Sequence, residues 1–164
     1  MGGKAQAGSG SSGFAKGDFR NVGNVRGECK HTSKTTYILK EEDLKKIQLE
    51  ALKGGFEDWV MQIEFLGAIG HSKKFAVVDC KMFMDMWVEA KPSDYTNLSM
   101  SSICKIGKSF QFKIGDAMAH DGLHVTELLF AEDDDTVHTR SKIYLIVPWQ
   151  AYLDVRKSYL EKRE

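Results

Sequence analysis

The sequence predicts an α+β domain with a mostly antiparallel sheet of about five strands, an N-terminal helix and a C-terminal helix, preceded by a flexible arm. Eight glycines within residues 1–27 predict the arm, because such a segment buries too little apolar surface to offset its chain entropy. Five later segments read as strands with no helical segment between them, which favours antiparallel pairing. We therefore divide the chain into an arm, 1–30, and one domain, 31–164.

Composition narrows the class of protein. The chain of 164 residues is 42% hydrophobic and 28% charged, which is typical of a soluble globular domain. Three cysteines without CxxC spacing exclude a disulfide framework and indicate a reducing, intracellular setting. No apolar run approaches the roughly 20 residues of a membrane span. Gly2 follows Met1 as in myristoylated proteins, but Gln6 replaces the favoured Ser or Thr, so the sequence leaves lipidation open.

Charge is unevenly distributed although the formal net charge is zero. Residues 1–40 hold seven basic and two acidic side chains, so the other 124 residues hold sixteen basic and twenty-one acidic ones. A basic segment ahead of an acidic body indicates an anionic partner. The arm also contains aromatic side chains that can stack on bases. The predicted nucleic-acid-binding residues are Lys16, Arg20, Arg26, Lys30, Phe14 and Phe19.

The body is predicted to begin near His31 with a short strand in TSKTTYIL, followed by a helix in KEEDLKKIQLEALKGG. Acidic residues fill the first turn of this helix, apolar residues form a stripe, and Gly54 and Gly55 end it. The next segment, FEDWVMQIEF, alternates apolar and polar residues and is predicted to be a strand.

Residues 75–89 have a period of two, because every even position from Ala76 to Val88 is apolar and three of them are methionines. We predict one long, bent strand whose even side chains face the core. A helix is the alternative, with Lys81 and Asp85 on its solvent side. The Cys80 and methionine spacing would also suit Cu(I), but the stripe runs into ordinary core residues, so we expect packing and no metal.

The rest of the chain predicts three strands and a helix. KIGKSFQFKIGD reads as a strand region in which Lys105, Lys108 and Lys113 are interleaved with Phe110 and Phe112. Alternation favours phenylalanines in the core and lysines in water over an exposed face that stacks bases. HVTELLFAE and TVHTRSKIYLIV form a hairpin with the acidic tip 133–135, and Pro148 opens the last helix.

No motif for catalysis or cofactor binding is present, and we expect no cofactor and no metal. His120 and His124 have the spacing of a zinc pair, but the Glu of HExxH is missing. We expect a non-enzymatic structural or assembly protein that self-associates and contacts nucleic acid or a membrane surface through its basic arm, by analogy with viral coat and matrix proteins. It would act inside the cell, in cytoplasm or nucleus, or in a virion. The alternatives are an intracellular protein-binding adaptor or regulator and a small metal-dependent enzyme using the two histidines.

Overall fold

A computed structural model of the chain describes residues 23–67, 73–92, 98–114, 123–131 and 142–164. Its strands are β1 Val25–Thr32, β2 Thr36–Lys40, β3 Asp58–Phe65, β4 Lys73–Asp79, β5 Leu98–Ile106, β6 Ser109–Lys113, β7 Leu123–Ala131 and β8 Ile143–Pro148. Its helices within these ranges are α1 Glu41–Gly54, α2 Cys80–Ala90 and α3 Trp149–Glu161.

The α+β class is confirmed, but the sheet is larger and more mixed than predicted. Six strands form one sheet in the order β1-β3-β4-β8-β7-β5, and β2 pairs with β6 in a separate antiparallel ribbon. The three central pairings of the sheet are antiparallel, whereas β1 runs parallel to β3 and β5 runs parallel to β7. The prediction of a mostly antiparallel sheet of five strands is therefore corrected to a mixed sheet of six.

The parallel pairing was missed because β1 begins inside the segment assigned to the arm. Val25 lies opposite Asp58 and Thr32 opposite Phe65, so the whole of β1 belongs to the sheet. With β1 in place, α1 becomes part of the crossover between β1 and β3, which is how parallel neighbours are connected. The folded body therefore includes residues 25–30, which the prediction assigned to the arm.

The long strand predicted for residues 75–89 is wrong beyond Asp79, where β4 ends and α2 begins. The Asp79 carboxylate accepts a hydrogen bond of 3.0 Å from the Met82 backbone N–H, which makes Asp79 the N-cap of α2. Lys81 and Asp85 pair on the exposed side at 2.6 Å, as the helical alternative expects. The apolar face of the helix buries Met86, whereas Val88 is exposed.

The sheet separates two hydrophobic clusters. One face of the sheet packs against α1 and the β2–β6 ribbon, and the other packs against α2 and α3. Side chains alternate between the two faces along each strand: Val77 joins the first cluster and Val78 the second. Both faces of the sheet are therefore covered, which explains why no residue of β3 or β4 is exposed.

The described strands of the two halves of the chain follow one topology and are related by an approximate two-fold axis. The strand order reads the same from both ends when β1, β3 and β4 correspond to β5, β7 and β8. Adding 69 to the residue numbers of β4 and α2 gives, to within two residues at each end, the numbers of β8 and α3. The same addition turns Val77 into Ile146, which is also the residue that Val77 faces in the central β4–β8 pair. Adding 73 to the residue numbers of β2 gives those of β6, and Ile38 again becomes the residue that it faces, Gln111. Both pairs therefore lie on the axis.

Candidate nucleic-acid interface

The β2–β6 ribbon presents an apolar side to the core and a polar side to solvent. Leu39, Phe110 and Phe112 are buried in the cluster shared with α1, and the rings of Phe110 and Phe112 stack 6.5 Å apart. The prediction that these phenylalanines face the core is confirmed, and so is the prediction that the lysines of the same segment, Lys105, Lys108 and Lys113, face water. The ribbon therefore offers no aromatic ring from these two residues for stacking on bases.

Exposed lysines stand at both ends of the ribbon's outer side. Lys40 lies opposite Ser109 at one end, and Lys113 lies opposite Thr36 at the other. The two lysines are four residue steps apart in register, which at about 3.3 Å per step is about 13 Å along the strands. Two further exposed lysines adjoin these ends. We call the set Lys34, Lys40, Lys108 and Lys113 the lysine face.

Backbone hydrogen bonds hold the segments that carry the lysine face in place at both ends of the ribbon. The Lys108 carbonyl accepts a hydrogen bond of 2.9 Å from the Glu41 N–H, which joins one end of the ribbon to the first turn of α1. At the other end, the Ile114 N–H bonds the Thr35 carbonyl at 3.1 Å. The Lys34 N–H bonds the Thr32 hydroxyl at 3.1 Å, closing the turn between β1 and β2.

The lysine face is an unneutralised cationic surface within the part of the chain that the structure describes. None of its four lysines lies within 4 Å of a carboxylate in those ranges. The nearest acidic segment in sequence is the start of α1, where Glu41 pairs with Lys45 at 3.4 Å. Between the ends, the half-exposed Ile38 and the exposed Gln111 lie opposite each other on the two-fold axis.

Two of the predicted arm residues instead form internal ion pairs on β1. Arg26 pairs with Glu50 of α1 at 2.9 Å, and Lys30 pairs with Glu28 at 2.7 Å. The hydrogen bond that Lys30 donates to the Glu28 carboxylate raises the pKa of Lys30, against the opposing effect of partial burial. The other predicted arm residues, Phe14, Lys16, Phe19 and Arg20, lie outside the described residues.

The histidine site is only partly described, since His120 lies outside the described residues. His124 lies in β7, where its Nδ1 is 2.8 Å from the Ser99 hydroxyl and its Nε2 is 3.1 Å from the Ser101 hydroxyl. Glu127 lies three positions further along β7, on the opposite face of the strand from His124, and accepts a hydrogen bond of 3.1 Å from the Ser102 hydroxyl. These contacts tie β5 to β7, and they do not assemble the serine, histidine and carboxylate of a hydrolase.

The sheet side covered by α2 and α3 has a cleft with an acidic lining. Its volume is about 320 Å³, and it is lined by Asp58, Asp79, Lys81, Met82, Asp85, Met86 and Tyr159. Each carboxylate in it already has a cationic partner, since Asp58 pairs with Arg156, Asp79 with Lys142 and Asp85 with Lys81. Paired carboxylates of this kind support helices and do not resemble a general acid and base set apart for catalysis.

Cys29, Cys80 and the methionines of α2 lie in or against the hydrophobic cluster that α2 and α3 share with the sheet. Burial, and then the charges of Glu127 and Asp79, raise the pKa of Cys80, which disfavours the nucleophilic thiolate. The Cys29 thiol donates to the Gln62 side-chain oxygen at 3.0 Å. No group of three or more potential His, Cys, Asp or Glu metal ligands occurs among the described residues.

Comparisons with protein-family models, with curated proteins and with solved structures found no match to this chain. In the ranges that the structure describes, no helix has both the length and the apolar character needed to cross a bilayer. The proposal for the function of this protein therefore depends on the lysine face and its geometry.

The sequence predicted part of the lysine face, namely its exposed lysines near Phe110 and Phe112, but not the pairing of the two segments that carry it. The alternation around Phe110 and Phe112 predicted exposed lysines, but nothing local pairs that segment with residues 36–40. A shared pattern was available, because YILK in β2 and FQFK in β6 both alternate apolar inner residues and end in a lysine. Reading the two segments as equivalent would have placed Lys40 and Lys113 on one surface.

Proposed function

We propose that the protein is a non-enzymatic structural protein of the coat or matrix type, which self-associates and contacts nucleic acid. The observation that supports nucleic-acid contact best is the lysine face, whose exposed lysines stand at both ends of the β2–β6 ribbon with no carboxylate of the described residues within 4 Å. Cys29 and Cys80 form no disulfide among the described residues, which supports a reducing location inside the cell or a virion.

The chemistry of the lysine face favours contacts to the phosphate backbone. Lysine ammonium groups bind phosphates as point charges, and such contacts carry no base sequence. The separation of about 13 Å between Lys40 and Lys113 corresponds to about four nucleotides of a helical strand at 3.4 Å each. The predicted arm residues Lys16 and Arg20 would add contacts of the same kind, so binding would be strong but tolerant of sequence.

The test measures salt dependence by fluorescence anisotropy with labelled RNA and DNA of unrelated sequences. Four phosphate contacts give log K a slope of about −3 to −4 against log salt concentration for a duplex. The double variant Lys40→Gln, Lys113→Gln should bind more weakly, with a slope shallower by about 2. Both variant side chains are exposed, so circular dichroism and the unfolding midpoint should be unchanged.

The matched control is Lys157→Gln, Lys162→Gln, which removes the same charge from exposed positions on α3 and just beyond it, on the opposite side of the sheet. It should retain the wild-type slope. A chain lacking residues 1–22 separates the contributions of arm and lysine face. Equal slopes for the two double variants, or loss of binding in the truncated chain alone, would remove the lysine face as the contact.

A further inference from the structure

The two edges of the six-stranded sheet are equivalent in position but opposite in character. β1 forms one edge and β5 the other, and the two-fold axis relates them. Charged side chains interrupt β1 at Arg26, Glu28 and Lys30. β5 carries no charge from Leu98 to Cys104. Natural edge strands are usually protected from pairing by charges, prolines or bulges.

β5 is also accessible to another strand. Ser99, Ser101 and Ser102 are exposed, and Met100 is 42% exposed. The nine residues of β5 pair with β7 along their whole length and have no strand on the other side in the described part of the chain. An edge strand of this length extends about 30 Å and offers a row of backbone N–H and C=O groups.

We propose that β5 is a docking edge for β5 of a second copy of this chain, in antiparallel pairing that continues the sheet across the two subunits. Antiparallel pairing centred on Ser102 places Ser99 opposite Lys105 and Met100 opposite Cys104, so no like charges meet. The serine hydroxyls can bond across the strands. A two-fold contact of this kind is closed, which gives a dimer and not a fibre.

The composition of β5 favours a second copy over an unrelated peptide. In strand addition, main-chain hydrogen bonds give affinity, and pockets or charges that receive alternate side chains give specificity. β5 presents small hydroxyl side chains and no charge over seven residues, so it has little with which to select a foreign sequence. Another β5 is matched to it in length and in its lack of charge. This inference rests on the self-association in the proposed function, but it is independent of the lysine face, because β5 contributes none of those lysines.

The test uses the full chain, by size-exclusion chromatography with light scattering over a hundredfold range of concentration. The wild type should reach twice the single-chain mass at high concentration. Met100→Lys, which places a charge on the docking edge, should weaken dimerisation at least tenfold. Val88→Lys changes another exposed apolar residue, on α2, and should dimerise as the wild type does.

Amide hydrogen exchange locates the contact even if a variant folds poorly. Protection of β5 amides in the wild type should rise with concentration, while that of β1 amides should not. A wild type that stays a single chain throughout, or a dimer whose added protection falls on β1 or α3, would overturn the proposal. Nucleic-acid affinity of Met100→Lys at low protein concentration should equal that of the wild type, which keeps this test separate from that of the proposed function.

Discussion

Two buried tyrosine hydroxyls offer a sharp test of the fold. Tyr144 in β8 and Tyr152 in α3 are fully buried, and neither hydroxyl has a hydrogen-bond partner among the described residues. The two-fold axis gives each a counterpart: the shift of 69 residues carries Phe75 onto Tyr144 and Phe83 onto Tyr152. Since both phenylalanines are buried in the first unit, the same environment accepts a ring without a hydroxyl.

The expected change in the free energy of unfolding follows from the burial of these hydroxyls. A buried polar group without a partner costs about 1–3 kcal/mol, and Tyr→Phe removes it while keeping the ring. We expect Tyr144→Phe and Tyr152→Phe each to raise the free energy of unfolding by about 1 kcal/mol. The residues lie in clusters on opposite faces of the sheet, so the effects should add to about 2 kcal/mol. For a chain of this size that is roughly 4–8 °C in melting temperature.

The assay is equilibrium unfolding in urea, with calorimetry for the melting temperature. Tyr159→Phe is the matched control, because the Tyr159 hydroxyl is bonded by Arg163 at an exposed site and its loss should change stability by less than about 0.5 kcal/mol. Destabilisation of 1 kcal/mol or more in Tyr144→Phe and in Tyr152→Phe would show that both hydroxyls are satisfied, and the packing described for the two clusters would then be incorrect.

Three further predictions use the same unfolding assay. Burial raises the pKa of Tyr144 and Tyr152 well above that of the unfolded chain, so the folded state holds protons that the unfolded state releases above about pH 10. Stability should therefore fall as pH rises past 10, and the double phenylalanine variant should show a smaller fall; an equal fall would contradict this. Arg156→Met should cost about 3 kcal/mol, because it leaves the Asp58 carboxylate without its buried partner, and adding Asp58→Asn should recover part of that loss. Asp79→Ala should cost about 1 kcal/mol by removing the α2 cap, whereas Asp79→Asn, which can still accept the bond, should cost less; equal losses would argue against capping.

The elements with strong local determinants were predicted well. α1 begins at Glu41 and its capping residue Gly55 adopts the left-handed conformation with φ of 73°, as the Gly54-Gly55 pair indicated. α3 follows Pro148 as predicted, and β7 pairs with β8 as the predicted hairpin requires, although its acidic tip, 133–135, lies outside the described residues. In each case neighbouring residues supply the determinant.

The failures have a different physical origin. In β1, Arg26, Glu28 and Lys30 alternate with Gly27 and Cys29, which is the period of a strand, but Gly27 and the glycine-rich residues before it favoured an arm. In α2, Cys80 and the methionines fit either a strand or a helix, and the deciding interaction is one hydrogen bond from Met82 to Asp79. A period of two within a short apolar segment does not exclude a helix when a capping residue stands directly before it.

The two-fold axis explains why the lysine face was hard to predict from the sequence. It also indicates which kind of ligand fits the lysine face. Lys40 and Lys113 are 73 positions apart, and they share a surface only because one ribbon strand comes from each unit. An axis through Ile38 and Gln111 gives a ligand the same lysine on either side of its centre. A single small anion of a few ångströms would reach one end of the ribbon and leave the other unused. A polymer with phosphates at regular intervals can engage both ends at once, and this favours nucleic acid over a small phosphorylated metabolite.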